Sequence, residues 1–111
     1  MGLFSNMFGG SVISPKDARE KMSELSNYVL LDVRTPAEFK EVRIKGAKLI
    51  PVSELEARAA IDLPDKNVPI FIYCKSGARA GSAVKILSGL GYTNAVSFGG
   101  IVNWPYEVVR G

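Results

Sequence analysis

Ile70-Phe71-Ile72-Tyr73-Cys74-Lys75-Ser76-Gly77-Ala78-Arg79 is the stretch on which the reading of this chain turns. An apolar run of strand character, starting near Pro69, stops at a cysteine. Small and polar residues and an arginine follow. Beyond Arg79, Ala80, Ala83, Val84, Leu87 and Leu90 fall on one helical stripe, and Gly91 supplies a C-terminal stop. A strand, a tight turn and a helix place Cys74 at a strand end, facing a helix N-terminus. A nucleophile is well placed there, and the remainder of the chain reads as scaffold around it.

Working outward, the same alternation recurs. Ser11-Val12-Ile13 reads as a short strand. Ser14 as N-cap, Pro15 at the first helical position and Asp17 in the first turn open a helix from Pro15 to Leu25, with Ala18, Met22 and Leu25 on one face. Tyr28-Val29-Leu30-Leu31-Asp32-Val33 is a continuous apolar run suited to a strand buried on both faces. Thr35 to Phe39 forms a short helix or turn. A further strand is centred on Lys48-Leu49-Ile50. Ser53 and Glu56 have capping-box spacing for a helix to about Ile61. Ala95-Val96-Ser97-Phe98 is the last strand. Pro105 kinks the C-terminal segment or begins a helix near residue 104. Strands alternating with helices predict an α/β domain whose mostly parallel sheet is covered on both faces.

The 111 residues suit one domain, residues 11–111, preceded by a flexible tail over residues 1–10. Leu3, Phe4, Met7 and Phe8 in that tail do not amount to a signal peptide or a membrane span. Gly2 would suit a myristoylation start, but Asn6 stands where Ser or Thr is needed. A cytoplasmic protein without stable membrane insertion is expected. The net charge is +3, with 14 basic residues dispersed among 11 acidic ones, which gives nucleic-acid binding little support. There is no histidine. Ser-His-Asp and Cys-His pairs and imidazole metal sites are thereby excluded. Cys74 is the only cysteine, so neither an internal disulfide nor a thiolate zinc cluster can form. No metal and no cofactor are expected.

In parallel α/β sheets ligands bind beyond the carboxyl ends of the strands, where Cys74 falls. The N–H groups of Lys75 through Arg79 have no strand partners there, and the first helical N–H groups have no intrahelical ones. Curled round the sulfur they form an anion cradle, with Gly77 permitting close approach. Helix N-termini and neighbouring cations favour the ionised thiol, so a thiolate is expected without help from histidine. Lone cysteines are more often small core residues, but a core cysteine needs no Lys-Ser-Gly-Ala-Arg turn after it.

Cys74-Lys75-Ser76-Gly77-Ala78-Arg79 resembles the active-site loop of the rhodanese sulfurtransferases. The similarity extends over roughly Ser11 to Val109. It includes Leu31-Asp32-Val33-Arg34 with Glu38-Phe39, Ile44-Lys45-Gly46-Ala47 before Ile50-Pro51, and Phe98-Gly99-Gly100 with Trp104. The resemblance implies five parallel strands in the order 1-5-4-2-3. It also implies that Cys74 takes a sulfane sulfur from a donor such as thiosulfate as a persulfide. The sulfur then passes to cyanide, a small thiol or a thioredoxin-like protein. Lys75, Ser76, Gly77, Ala78 and Arg79 would bind the substrate, their amides holding its charge and the two cations attracting the anionic donor. Where the family usually has Gly-His, this chain has Val42-Arg43.

Asp32, Arg34 and Glu38 lie close to a buried strand end and are read as ion pairing that pins the loops beside the site. Phe98 and Trp104 read as core or pocket wall. Three rival readings stand beside sulfur transfer from thiosulfate. A cysteine phosphatase or arsenate reductase of related fold has five residues between Cys and Arg, against four here. An inactive rhodanese-like binding module typically lacks the cysteine. A persulfide carrier serving one biosynthetic partner looks the same in sequence.

Overall fold

A computed structural model describes residues 12–111. The predicted tail lies outside the described residues, as does Ser11 of the predicted first strand. In chain order the elements are α1 (Pro15–Glu24), β1 (Val29–Asp32), α2 (Pro36–Glu41), β2 (Val42–Arg43), β3 (Lys48–Leu49), α3 (Val52–Asp62), β4 (Ile70–Cys74), α4 (Ala78–Gly89), β5 (Ala95–Gly100), a 3-10 turn (Ile101–Asn103) and β6 (Val109–Arg110).

Four strands form one parallel sheet in the order β3-β1-β4-β5. Val12 adds a single parallel bridge to Ser97 at the β5 edge, where the Ile13 N–H donates to the Ser97 carbonyl at 2.9 Å. With that bridge as the first strand, the spatial order is the 1-5-4-2-3 that the resemblance implies. Among the described residues this bridge is what represents the expected fifth strand; Ser14, two residues on, already caps α1 through the Asp17 N–H at 3.0 Å.

β4 is buried along its whole length, as a central strand must be. Strand side chains alternate between faces. Ile70, Ile72 and Cys74 accordingly join Leu31, Leu55, Ala80, Ala83 and Leu87 under α3 and α4. Phe71 and Tyr73 join Ala18, Leu30, Val96 and Phe98 on the α1 side. Each large apolar side chain withdrawn from water there contributes about 1.5–3 kcal/mol. α4 ends as the sequence requires: the Gly91 N–H donates to the Ser88 carbonyl and the Tyr92 N–H to that of Leu87, at 3.1 and 3.0 Å.

One local expectation is corrected. Ser53 does not cap α3; Pro51 occupies the N-cap position with no side-chain hydrogen bond, and the Glu54 N–H donates to the Pro51 carbonyl at 2.8 Å. The capping box is instead at α2, where the Glu38 N–H donates to Thr35 Oγ1 and the Thr35 N–H to Glu38 Oε1. Of the two outcomes left open around Pro105, a kink or a helix near residue 104, the chain takes the first: it bends at Tyr106 and runs into β6, which pairs antiparallel with β2. Trp104 seats this return, its ring 5.3 Å from Phe98 and 4.9 Å from Tyr106.

Among the described residues no helix is long and apolar enough to cross a membrane, and no cluster of three or more acidic or cysteine side chains could hold a metal ion.

Candidate active site

Cys74 is the last residue of β4 and is 1% exposed. The Gly77 N–H donates to its Sγ at 2.9 Å, so the chain has curled back over the sulfur within three residues. That return places Gly77 at φ +122°, where a side chain would be strained, and Gly77 is also the residue before the first turn of α4. The loop is closed from the other side by the β5 end. A Cβ on Gly100 would overlap the Lys75 carbonyl, so only glycine lets these two backbones meet. The Val102 N–H then donates to the same carbonyl at 3.2 Å. The loop over the sulfur is thus held by an amide of its own turn on Sγ and by the Gly99-Gly100 strand end against its backbone.

The charges singled out from sequence resolve into two ion pairs. Asp32, at the end of β1, is fully buried and meets Arg34 through both oxygens, with Arg34 Nη2 2.7 Å from Asp32 Oδ2. The Arg34 N–H also donates to Asp32 Oδ1, and Nη2 donates to the Val42 carbonyl at 2.6 Å. Burial opposes the Arg34 charge, but the hydrogen bonds and attraction of Asp32 outweigh it and hold the guanidinium above its ordinary range. Beneath them, burial pushes the Tyr73 phenol well up. Its oxygen accepts the Ile44 N–H at 3.1 Å, fixing the segment after β2.

Glu38 takes a different partner. Its two oxygens accept Arg79 Nη1 and Nη2 at 2.7 and 3.0 Å, a bidentate pair from α2 to the first turn of α4. Chiefly through that hydrogen bonding, the Glu38 carboxyl is lowered to about 2 and Arg79 is raised. Arg79, expected at the donor's rim, thus gives one N–H from each terminal nitrogen to Glu38 and ties the start of α4 to α2. Lys75 and Ser76 are exposed on the loop, and Ala78 begins α4.

Val42-Arg43, which departs from the Gly-His of the resemblance, is accommodated as β2. Arg43 Nη1 donates to the Phe39 carbonyl at the end of α2, at 3.2 Å, and its guanidinium lies 5.1 Å from the Phe39 ring centre. A cavity of about 190 Å3 adjoins the loop, lined by Lys75, Ile101, Val102, Glu41 and Val42 together with Arg34 and Glu38. Cavities of 220 and 340 Å3 lie around Tyr28, at the opposite end of β1; no residue of the cysteine loop borders them. Size alone does not locate the site.

Sequence reading missed Gly100, Val102 and Glu41 as neighbours of the loop. The only local hint was the glycine pair after Phe98.

The family model described as a rhodanese-like domain matches residues 14–106. The chain belongs to the rhodanese-like family. Within that family it is 37% identical over 81 residues to "Thiosulfate sulfurtransferase PspE" of Escherichia coli, covering 73% of this chain and 78% of that one. It is 34% identical over 100 residues to the "Probable adenylyltransferase/sulfurtransferase MoeZ" of Mycobacterium tuberculosis, covering 89% of this chain but only 26% of that much longer protein. Among solved structures, "rhodanese with anions from E. coli" superposes with a TM-score of 0.71 at 36% identity, over 76% of this chain and 99% of that chain.

Proposed function

We propose that this rhodanese-like protein is a sulfurtransferase that moves a sulfane sulfur from thiosulfate through a persulfide on Cys74 to cyanide or a thiol. The observation that carries the reading is the Cys74 sulfur at the β4 end, accepting the Gly77 N–H at 2.9 Å. The Cys74 thiolate attacks the outer sulfur of thiosulfate. A sulfur–sulfur bond forms to Cys74, and the pair of the broken bond leaves with sulfite. A nucleophilic acceptor then takes the outer sulfur, and the bonding pair returns to Cys74. Neither step needs a general base, which fits a chain without histidine. Thiolate and persulfide are both anionic species, and the Gly77 N–H that donates to the Cys74 sulfur would stabilise either without reorganising. Lys75, exposed at the rim, would attract the anionic donor.

The names of the relatives support sulfur transfer, and the loop supports it over phosphoryl or arsenate chemistry. Only four residues separate Cys74 from Arg79, which leaves less room for a tetrahedral oxyanion than the five of the phosphatase and arsenate reductase loops. Retention of Cys74 argues against a purely binding role. Thiosulfate as donor, cyanide or a thiol as acceptor, and a cytoplasmic setting belong to this proposal.

The test is intact mass after incubation with thiosulfate and again after cyanide. A gain of one sulfur that maps to Cys74 and is removed by cyanide is expected. Cys74→Ser should neither gain sulfur nor turn over while melting as the wild type does. No added sulfur on folded, reduced protein would sink the proposal.

A further inference from the structure

We infer that the cavity beside the cysteine loop is the acceptor subsite and that it selects a dipolar thiol, one carrying both an ammonium and a carboxylate group. The inference rests on the sulfurtransferase reading and assigns its acceptor. The charges facing this cavity divide sharply. Arg34 is matched by Asp32 and the Val42 carbonyl, and Glu38 by Arg79. That leaves Lys75 and Glu41, whose side chains have no hydrogen-bonded or ion-paired partner among the described residues. One is an exposed cation on the loop itself. The other is an exposed anion at the C-terminal end of α2, on a separate element.

Between them the wall is apolar: Val42, Ile101 and Val102 line the cavity, and Val102 is 61% exposed. An apolar side chain left in water at the rim of a site gains by covering a ligand's hydrocarbon. The Val102 N–H bond to the Lys75 carbonyl ties the Val102 backbone to the loop.

Thiosulfate, a dianion, is attracted by Lys75 and repelled by Glu41, so this charge pair does not favour the donor. Cyanide engages neither group with direction. A thiol on a short carbon chain bearing an ammonium and a carboxylate matches both charges and covers the valines. In the transfer its thiolate attacks the outer persulfide sulfur, and the new persulfide leaves on the acceptor. The broken bond's electron pair returns to Cys74, and the thiol proton goes to solvent. Sulfite departs before this step, so Lys75 can serve donor and acceptor in turn.

The experiment loads Cys74 from thiosulfate and measures kcat/KM for three acceptors: cysteine, cysteamine, which lacks the carboxylate, and 3-mercaptopropionate, which lacks the ammonium. The readout is the cysteine to 3-mercaptopropionate ratio, taken on one sample so that any loss of folded protein cancels. Glu41→Gln should lower that ratio about fivefold, the size of one solvent-touched charge contact. Glu41→Asp should restore part of it, and Glu41→Lys should push preference toward 3-mercaptopropionate. Lys75→Ala should lower the cysteine to cysteamine ratio by a similar factor. Loading that proceeds while these ratios stay at their wild-type values overturns this inference alone. Failure of the wild type to load any sulfur overturns the proposed function and this inference with it.

Discussion

The two ion pairs beside the cysteine loop, Asp32–Arg34 and Glu38–Arg79, have similar contact distances, 2.7 Å in each case, and very different surroundings. The first is sealed off: its side chains are 0% and 3% exposed, and Arg34 also binds the Val42 carbonyl. The second is open to water, with side chains 29% and 34% exposed. Sealed charges cost several kcal/mol to desolvate and persist only while each has its partner, whereas open ones contribute little. Asp32–Arg34 is thus a structural commitment that ties the end of β1 to β2. Glu38–Arg79 is an adjustable brace between α2 and the start of α4, next to the turn that carries Cys74.

Breaking the sealed pair should have the largest effect. Arg34→Met leaves the Asp32 carboxylate buried and unmatched, and should cost about 3–5 kcal/mol in chemical denaturation. A loss below about 1 kcal/mol, the range of exposed pairs, would show that water reaches Asp32 and that the contrast is false. The double replacement Asp32→Leu with Arg34→Met removes both charges, and should recover most of that loss. If the double variant were as unstable as the single one, the hydrogen bonds to Arg34 rather than its charge would be what matters.

Glu38→Gln should be milder, at no more than about 1 kcal/mol, because solvent screens the pair. Its mark should be a fall in kcat for sulfur transfer, since Arg79 loses its anchor at the foot of the loop. Unaltered kcat with Arg79 released would remove the brace from the mechanism.

The smallest effect is on acid stability. Glu38 titrates at about 2 in the fold against an ordinary 4.5. As pH falls the unfolded chain therefore takes up this proton first. The stabilisation from Glu38 is complete above 4.5 and is lost as pH drops through about 2. Denaturation midpoints of wild type and Glu38→Gln should converge across that window, and added salt should narrow the gap at neutral pH. A gap that stayed constant through the same acid window would mean that Glu38 acts through packing.

Local signals were sound where they were strong. The apolar runs at Val29–Asp32 and Ile70–Cys74 and the helical stripe from Ala80 to Leu87 appear as two central strands and α4. Period and length agree at those places, and Gly77 and Gly91 also bound α4. Weak local signals misled. The Ser53 and Glu56 spacing promised a cap that Pro51 pre-empts, while Thr35 and Glu38, in a stretch read as a short helix or turn, form the capping box. The segment after residue 104 depends on pairing with β2, far earlier in the chain, and nothing within it announces that partner.

The same division runs through the site. Sequence by itself determined that the chain offers one cysteine and no histidine, with that cysteine at a strand end, under a turn whose glycine allows the backbone to fold over the sulfur. These are properties of residue type and of a few neighbouring dihedral angles. Only the tertiary structure decided that Arg79 would be bound by Glu38, 41 residues away, that Gly100 would abut Lys75, and that Lys75 and Glu41 would be left facing one cavity without partners among the described residues. Those outcomes depend on how β1, β4 and β5 are ordered in the sheet. That order is set by burying both faces of the sheet at once, so no short stretch of the chain encodes it.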